Sequence, residues 1–197
     1  MQRHNTPRVE KQGKRIMQKI SKGFYLGSIY GGYLGFFVLM VGGFIIMISG
    51  GLFDSYYYQD EEIILVGGVL IFLSFIPLIY STVMWCILTY KLWVVIQDTT
   101  NRATPGQAVG FMFIPFFNIY WMYQAIWGWS VDCNKHIKEK GIICPPVSEG
   151  VPLAYCILMC VGAIPFVGYL TGIAALILMI IWQNESINAA NTIIEKQ

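Results

Sequence analysis

Four long stretches of this chain carry no Asp, Glu, Lys, Arg or His: residues 23–53, 63–90, 103–131 and 150–184. Each exceeds the roughly 20 apolar residues that a helix needs to cross a ~30 Å hydrocarbon core. Inside lipid every backbone amide must be satisfied within the protein, so a stretch of this kind that meets lipid is helical. The spacing of charge therefore predicts an all-α integral membrane bundle of four transmembrane helices. Composition agrees: 12% of residues are charged and 56% hydrophobic, against about 25% charged in soluble domains.

The cations are unevenly placed. Arg3, Arg8, Lys11, Lys14, Arg15, Lys19 and Lys22 come first, against the single acid Glu10. Val9, Ile16, Met17 and Ile20 fall near one helical face. Residues 1–22 thus read as a basic amphipathic juxtamembrane arm suited to anionic lipid headgroups, at about 1 kcal/mol per cation. The same charge keeps that end cytoplasmic under the positive-inside rule. The run that follows is too long for the apolar core of a cleaved signal peptide and reads as a retained anchor. Asp54, Asp60, Glu61 and Glu62 make the next connection acidic, which suits the opposite side. Four crossings put residues 23–184 in a transmembrane domain and residues 185–197 in a polar cytoplasmic tail. They leave Lys135, Lys138 and Lys140 outside. A third segment that is re-entrant at Pro115 returns those lysines to the cytoplasm.

Gly27, Gly31 and Gly35 recur every four residues, a stripe that lets another helix backbone approach closely. Gly168 and Gly172, with Ala175, form a second small-residue series. Pro77, Pro115 and Pro165 each follow an isoleucine inside an apolar run. A proline within a helix removes one backbone hydrogen bond and marks a kink, and Ser81 or Thr82 can serve the carbonyl that Pro77 frees. Pro115-Phe116-Phe117-Asn118 and Pro165-Phe166-Val167-Gly168 look most alike. Duplication of a helix with one interruption accounts for that, and so does chance in an isoleucine-rich chain.

Proton relays and charged-substrate pathways need an ionisable group facing the bundle interior, and the four runs hold none. His4 lies in the basic arm and His136 in a connection. Phosphate-binding glycine loops and paired catalytic carboxylates are missing. No catalytic, cofactor-binding or metal site is assigned, and no cofactor is expected. Cys156 and Cys160 read as packing residues. Cys133 and Cys144 flank a segment that four crossings place outside, where they form a candidate disulfide. Asn118 and Gln124 are the polar groups of the aromatic third run, suited to hydrogen bonds with a neighbouring helix or to lining a path.

That third run carries Pro105, Gly106, Ala108, Val109, Gly110, Phe113, Ile114, Pro115, Asn118, Tyr120 and Trp121. In this pattern it resembles uncharacterised bacterial four-helix integral membrane protein families. The resemblance implies a bacterial cytoplasmic (inner) membrane and brings no activity with it. The expected function is non-enzymatic: a packing, interaction or scaffold protein that assembles with a membrane protein partner or a second copy, and not with nucleic acid. The alternative is a small transporter or channel subunit for a neutral or apolar solute, with the three prolines as helix breaks.

Overall fold

A computed structural model describes residues 18–52, 61–97, 101–162, 164 and 167–196. The basic arm through residue 17, the acidic residues 53–60 and Pro165 lie outside the described residues. Among the described residues every regular element is helical, and three helices are long and apolar enough to cross a membrane: Lys22–Ser49, Glu62–Val95 and Thr171–Lys196. The chain divides into two compact units, Lys22–Thr89 and Met1–Ser21 together with Tyr90–Gln197.

The first unit is an antiparallel pair formed by α1 (Lys22–Leu52) and α2 (Glu61–Val95) as far as Thr89, the last residues of α2 belonging to the second unit. Gly43 faces Gly67, Phe36 meets Phe75 edge-on at 6.2 Å, Gly35 meets Pro77, and the Tyr80 hydroxyl reaches Ser28 Oγ at 3.2 Å. A Cβ at Gly43 would stand 2.7 Å from the Gly67 carbonyl, and one at Gly67 would stand 2.7 Å from the Gly43 carbonyl. A Cβ at Gly32 would meet Ser81 Oγ and, at 2.9 Å, the Pro77 carbonyl.

The closing glycines are therefore Gly32, Gly43 and Gly67. In the expected stripe, Gly35 makes an ordinary contact with Pro77 Cβ at 3.5 Å, while no described atom comes within 4 Å of a Cβ at Gly27 or Gly31. At about 100° per residue, Gly32 and Gly43 differ by only about 20° around the axis, whereas Gly27 lies about 140° from Gly32. An eleven-residue interval, not a four-residue one, marks the closing face.

α2 continues as helix through Pro77. Neither expected hydroxyl serves the Leu73 carbonyl that the proline leaves without its usual donor. Thr82 Oγ1 donates to the Leu78 carbonyl at 2.9 Å, and the buried Ser81 hydroxyl has no hydrogen-bond partner among the described residues.

In the second unit the third charge-free run doubles back. Thr104 caps α3 (Pro105–Gly110) with a reciprocal side-chain pair, its Oγ1 accepting from Gln107 N and its own N–H donating to Gln107 Oε1. With Pro105 in the first turn, this is a strong start signal. A 3₁₀ turn, Phe111–Phe113, follows, and the chain then reverses at Ile114–Phe116. Beyond it come α4 (Phe117–Met122), a π-helical turn Tyr123–Trp127, and α5 (Gly128–Glu139). Trp121 folds back to donate from Nε1 to the Ala108 carbonyl at 3.3 Å, and its ring packs on Phe111 and Phe117 at 4.8 and 5.6 Å. The run expected to cross as one kinked helix is a short-armed hairpin, because Pro115 cannot continue the 3₁₀ turn and the aromatic rings favour the closed arms.

The fourth run does the same. α6 (Gly150–Val161) and α7 (Val167–Lys196) pack antiparallel. A Cβ at Gly168 would stand 2.6 Å from the Gly162 carbonyl, and Thr171 Oγ1 would lie 3.0 Å from one at Gly162. Gly168 thus leaves room for the carbonyl of Gly162 where the chain turns between α6 and α7. No described atom lies within 4 Å of a Cβ at Gly172, which lines a notch with Leu158, Met159 and Ala175.

Candidate functional site

Two features of the second unit go beyond core packing: its apolar turns and the polar end where its hairpins open. At the first turn Phe116 has φ 63° and ψ −39°, the only positive φ on a non-glycine among the described residues. The Phe117 N–H donates to the Pro115 carbonyl at 2.7 Å, closing a three-residue γ-turn of the rare positive-φ kind, which is a strained conformation. Its strain is offset by the proline, which presets the preceding backbone, and by ring packing in both arms. Phe116 is 89% exposed, and Phe113, Ile114, Ile119 and Tyr120 beside it are exposed too. Asn118 is exposed, and its amide makes no hydrogen bond to a described residue; its backbone N–H donates to the Ile114 carbonyl at 3.0 Å. The expected cross-helix bond from Asn118 is therefore not formed, because the turn carries it outward. Gln124 donates to the Tyr120 hydroxyl at 3.1 Å within its own arm. At the second turn Ile164 is exposed.

The opposite end is held by polar contacts between distant parts of the chain. The Asn191 side chain accepts from Ile20 N at 2.7 Å and donates to its carbonyl at 2.9 Å. Lys19 pairs with Glu195, and Lys196 donates to the Ile143 carbonyl. The Asn134 amide holds both backbone groups of Val147, at 2.8 and 2.9 Å, and Ser148 N donates to Glu185 at 3.0 Å. Arg102 meets Asp132 through Nη2 at 2.9 Å and Nε at 3.0 Å, and its guanidinium lies 5.7 Å from the centre of the Trp127 ring. Under this layer Trp93, Trp129 and Trp182 are fully buried. Trp93 donates to the Ala125 carbonyl at 3.0 Å and Trp182 to Ser130 Oγ at 2.9 Å.

α5 ends at Gly141, whose φ of +62° closes the helix with Ile142 N donating to the Ile137 carbonyl at 3.0 Å, the bonding of a Schellman stop. On α5 Asp132, Cys133, His136 and Ile137 are buried, while Lys135, Lys138 and Lys140 are exposed. The network explains why: the cations occupy the face turned away from the tryptophans.

Cys133 and Cys144, the candidate disulfide, are both free thiols. Burial, with a smaller contribution from nearby Cys144, pushes the Cys133 thiol up to about 12. At pH 8 its thiolate is then on the order of one part in ten thousand. Cys144 is expected to react with a maleimide in the folded protein while Cys133 resists until denaturation, as peptide mass mapping can follow. Equal rates at both thiols would contradict this burial.

Among the described residues no group of three His, Cys, Asp or Glu side chains is placed to hold a metal ion. The sequence does not reveal the polar network because its partners are far apart, Lys19 and Glu195 most of all, at a separation of 176 residues. The clearest signal it left is Asn191, at helical spacing from Asn188 and Asn184. Comparison with family models, curated proteins and solved structures finds no match.

Proposed function

We propose that this protein is a non-enzymatic membrane protein that associates with a second membrane helix through the outer face of α1, the helix being that of a second copy or of a partner. The observation that carries the reading is the division of labour among the glycines. Gly32, Gly43 and Gly67 close the helix pair, while Gly27 and Gly31 have no described atom within 4 Å of a Cβ. Small residues four apart, open to the outside, permit close approach of a further helix. Leu34, Phe37, Val38 and Ile45 on the same helix are exposed and apolar, which suits lipid around such a contact. A bacterial cytoplasmic membrane, with both termini inside, follows from the resemblance and from the basic arm.

Gly27→Leu and Gly31→Leu are expected to abolish cross-linked dimers or partner capture in membranes while leaving the unfolding midpoint of the protein in place. Undiminished association in both variants would sink the proposal. The transporter reading draws little support from Asn118, which lies on an exposed turn. Solute uptake into liposomes by the purified protein alone would restore it.

A further inference from the structure

We propose that both hairpins of the second unit enter the bilayer from the side of Lys19 and turn back inside it, so that their apolar turns are solvated by lipid and neither hairpin crosses. This inference rests on the membrane reading above and concerns a different surface.

α3 and its 3₁₀ turn span 6 and 3 residues, or about 15 Å together. α6 has 12 residues, or about 18 Å. Each inward arm falls well short of a ~30 Å core, yet each is charge-free and ends at exposed apolar residues: Phe113, Ile114 and Phe116 in one, Ile164 in the other. A turn ending in Phe116 at 89% exposure is costly in water and favourable in hydrocarbon.

Both hairpins open at one polar end. Ser148 beside α6 is tied to Glu185 of α7, Arg102 beside α3 to Asp132 of α5, and Ile20 to Asn191 of α7. These bonds gather both openings and Lys19 at one polar end, leaving the apolar turns away from it. Lys135, Lys138 and Lys140 then share a side with Lys19 and Lys22. The three exceptions to the positive-inside pattern disappear, and their charge meets anionic headgroups.

Length alone nominates α7 as a crossing. Its most apolar window is 44% buried within the protein, against 6% for α1 and 11% for α2. A helix so covered is a core element of its unit, with its apolar part ending at Trp182 and Gln183, Asn184 and Glu185 following. The two exposed isoleucines at the turns, Ile114 and Ile164, stand 50 residues apart, each before a Pro-Phe pair in the sequence. The same local signal thus ends both inward arms.

An impermeant amine reagent applied to inside-out and right-side-out vesicles, read by peptide mass mapping, tests the side without any substitution. Lys135, Lys138 and Lys140 are expected to be modified in the same preparation as Lys19 and Lys22. Modification in the opposite preparation means a crossing and overturns the proposal while the membrane reading stands. A nitroxide on Phe116→Cys, with Cys86, Cys144 and Cys160 replaced by serine, tests the occupant. It is expected to collide with oxygen dissolved in lipid and not with a water-soluble paramagnetic metal complex. Access to the aqueous complex means that the turn lies in water, and shielding from both relaxers means that protein covers it; either result overturns the proposal. A nitroxide on Phe37→Cys in α1 separates the two readings, because water access there removes the membrane reading itself.

Discussion

Gly43→Ala is expected to destabilise the α1–α2 pair by about 2–3 kcal/mol, the range of an overpacked contact that cannot relax. The added methyl would lie 2.7 Å from the Gly67 carbonyl, 2.8 Å from Ile71 Cγ1 and 3.0 Å from Ile71 N. Two of those three atoms are backbone, so relief requires the helices to separate. The adjacent Gly42 supplies the control, because no described atom lies within 4 Å of a Cβ there. Gly42→Ala should be neutral or stabilising by up to about 1 kcal/mol through helix propensity. Unfolding in mixed detergent micelles, followed by far-UV dichroism, measures both. Equal midpoints for the two variants would mean that the glycine crossing does not hold the pair.

Asp132→Ala is the second large effect. It leaves Arg102 facing the tryptophan layer with its main anion removed. The Asp132 side chain is 10% exposed and that of Arg102 29%. Removing one member of a buried pair typically costs about 3–5 kcal/mol. The partial exposure of Arg102 places this case near the lower end, at about 3 kcal/mol. Much of that cost is the stranded guanidinium, so Arg102→Met combined with Asp132→Leu should recover part of the loss. The measurement is protease resistance and unfolding midpoint for Arg102→Met, Asp132→Leu and the double. Strict additivity, with the double as unstable as the sum of the singles, would show that the pair is not coupled. Gly128 belongs to the same arrangement: a Cβ there would stand 2.8 Å from Arg102 Cδ, so the glycine makes room for the arginine stem.

Some of this was legible in the residues. The charge-free runs contain nearly all of α1, most of α2 and the apolar part of α7. The polar tail lies on a helix that continues to Lys196. Pro115 marks a break in the sequence, but a break can be a kink or a reversal. The choice depends on Trp121 reaching Ala108 and on the rings of Phe111 and Phe117, contacts that an apolar pattern does not encode. Gly27 and Gly31 drew notice through a regular interval, whereas Gly32 and Gly43 form a face only when the angle per residue is followed for three turns. Asn118 looked like a bundle tie because it is polar within an apolar run. Its position two residues after a positive-φ turn puts it outside.

By itself, the sequence determined that this chain is helical and compatible with a membrane. Backbone amides in lipid have no other partners, and four runs without charge leave few alternatives. Only the tertiary structure decided that two of those runs fold back on themselves, which glycines close α1 on α2, and that Lys19 and Lys138 belong to one unit whose ends are tied together. Those outcomes rest on pairs such as Ile20 and Asn191, 171 residues apart. Their meeting is a property of the packed chain, and no local pattern carries it.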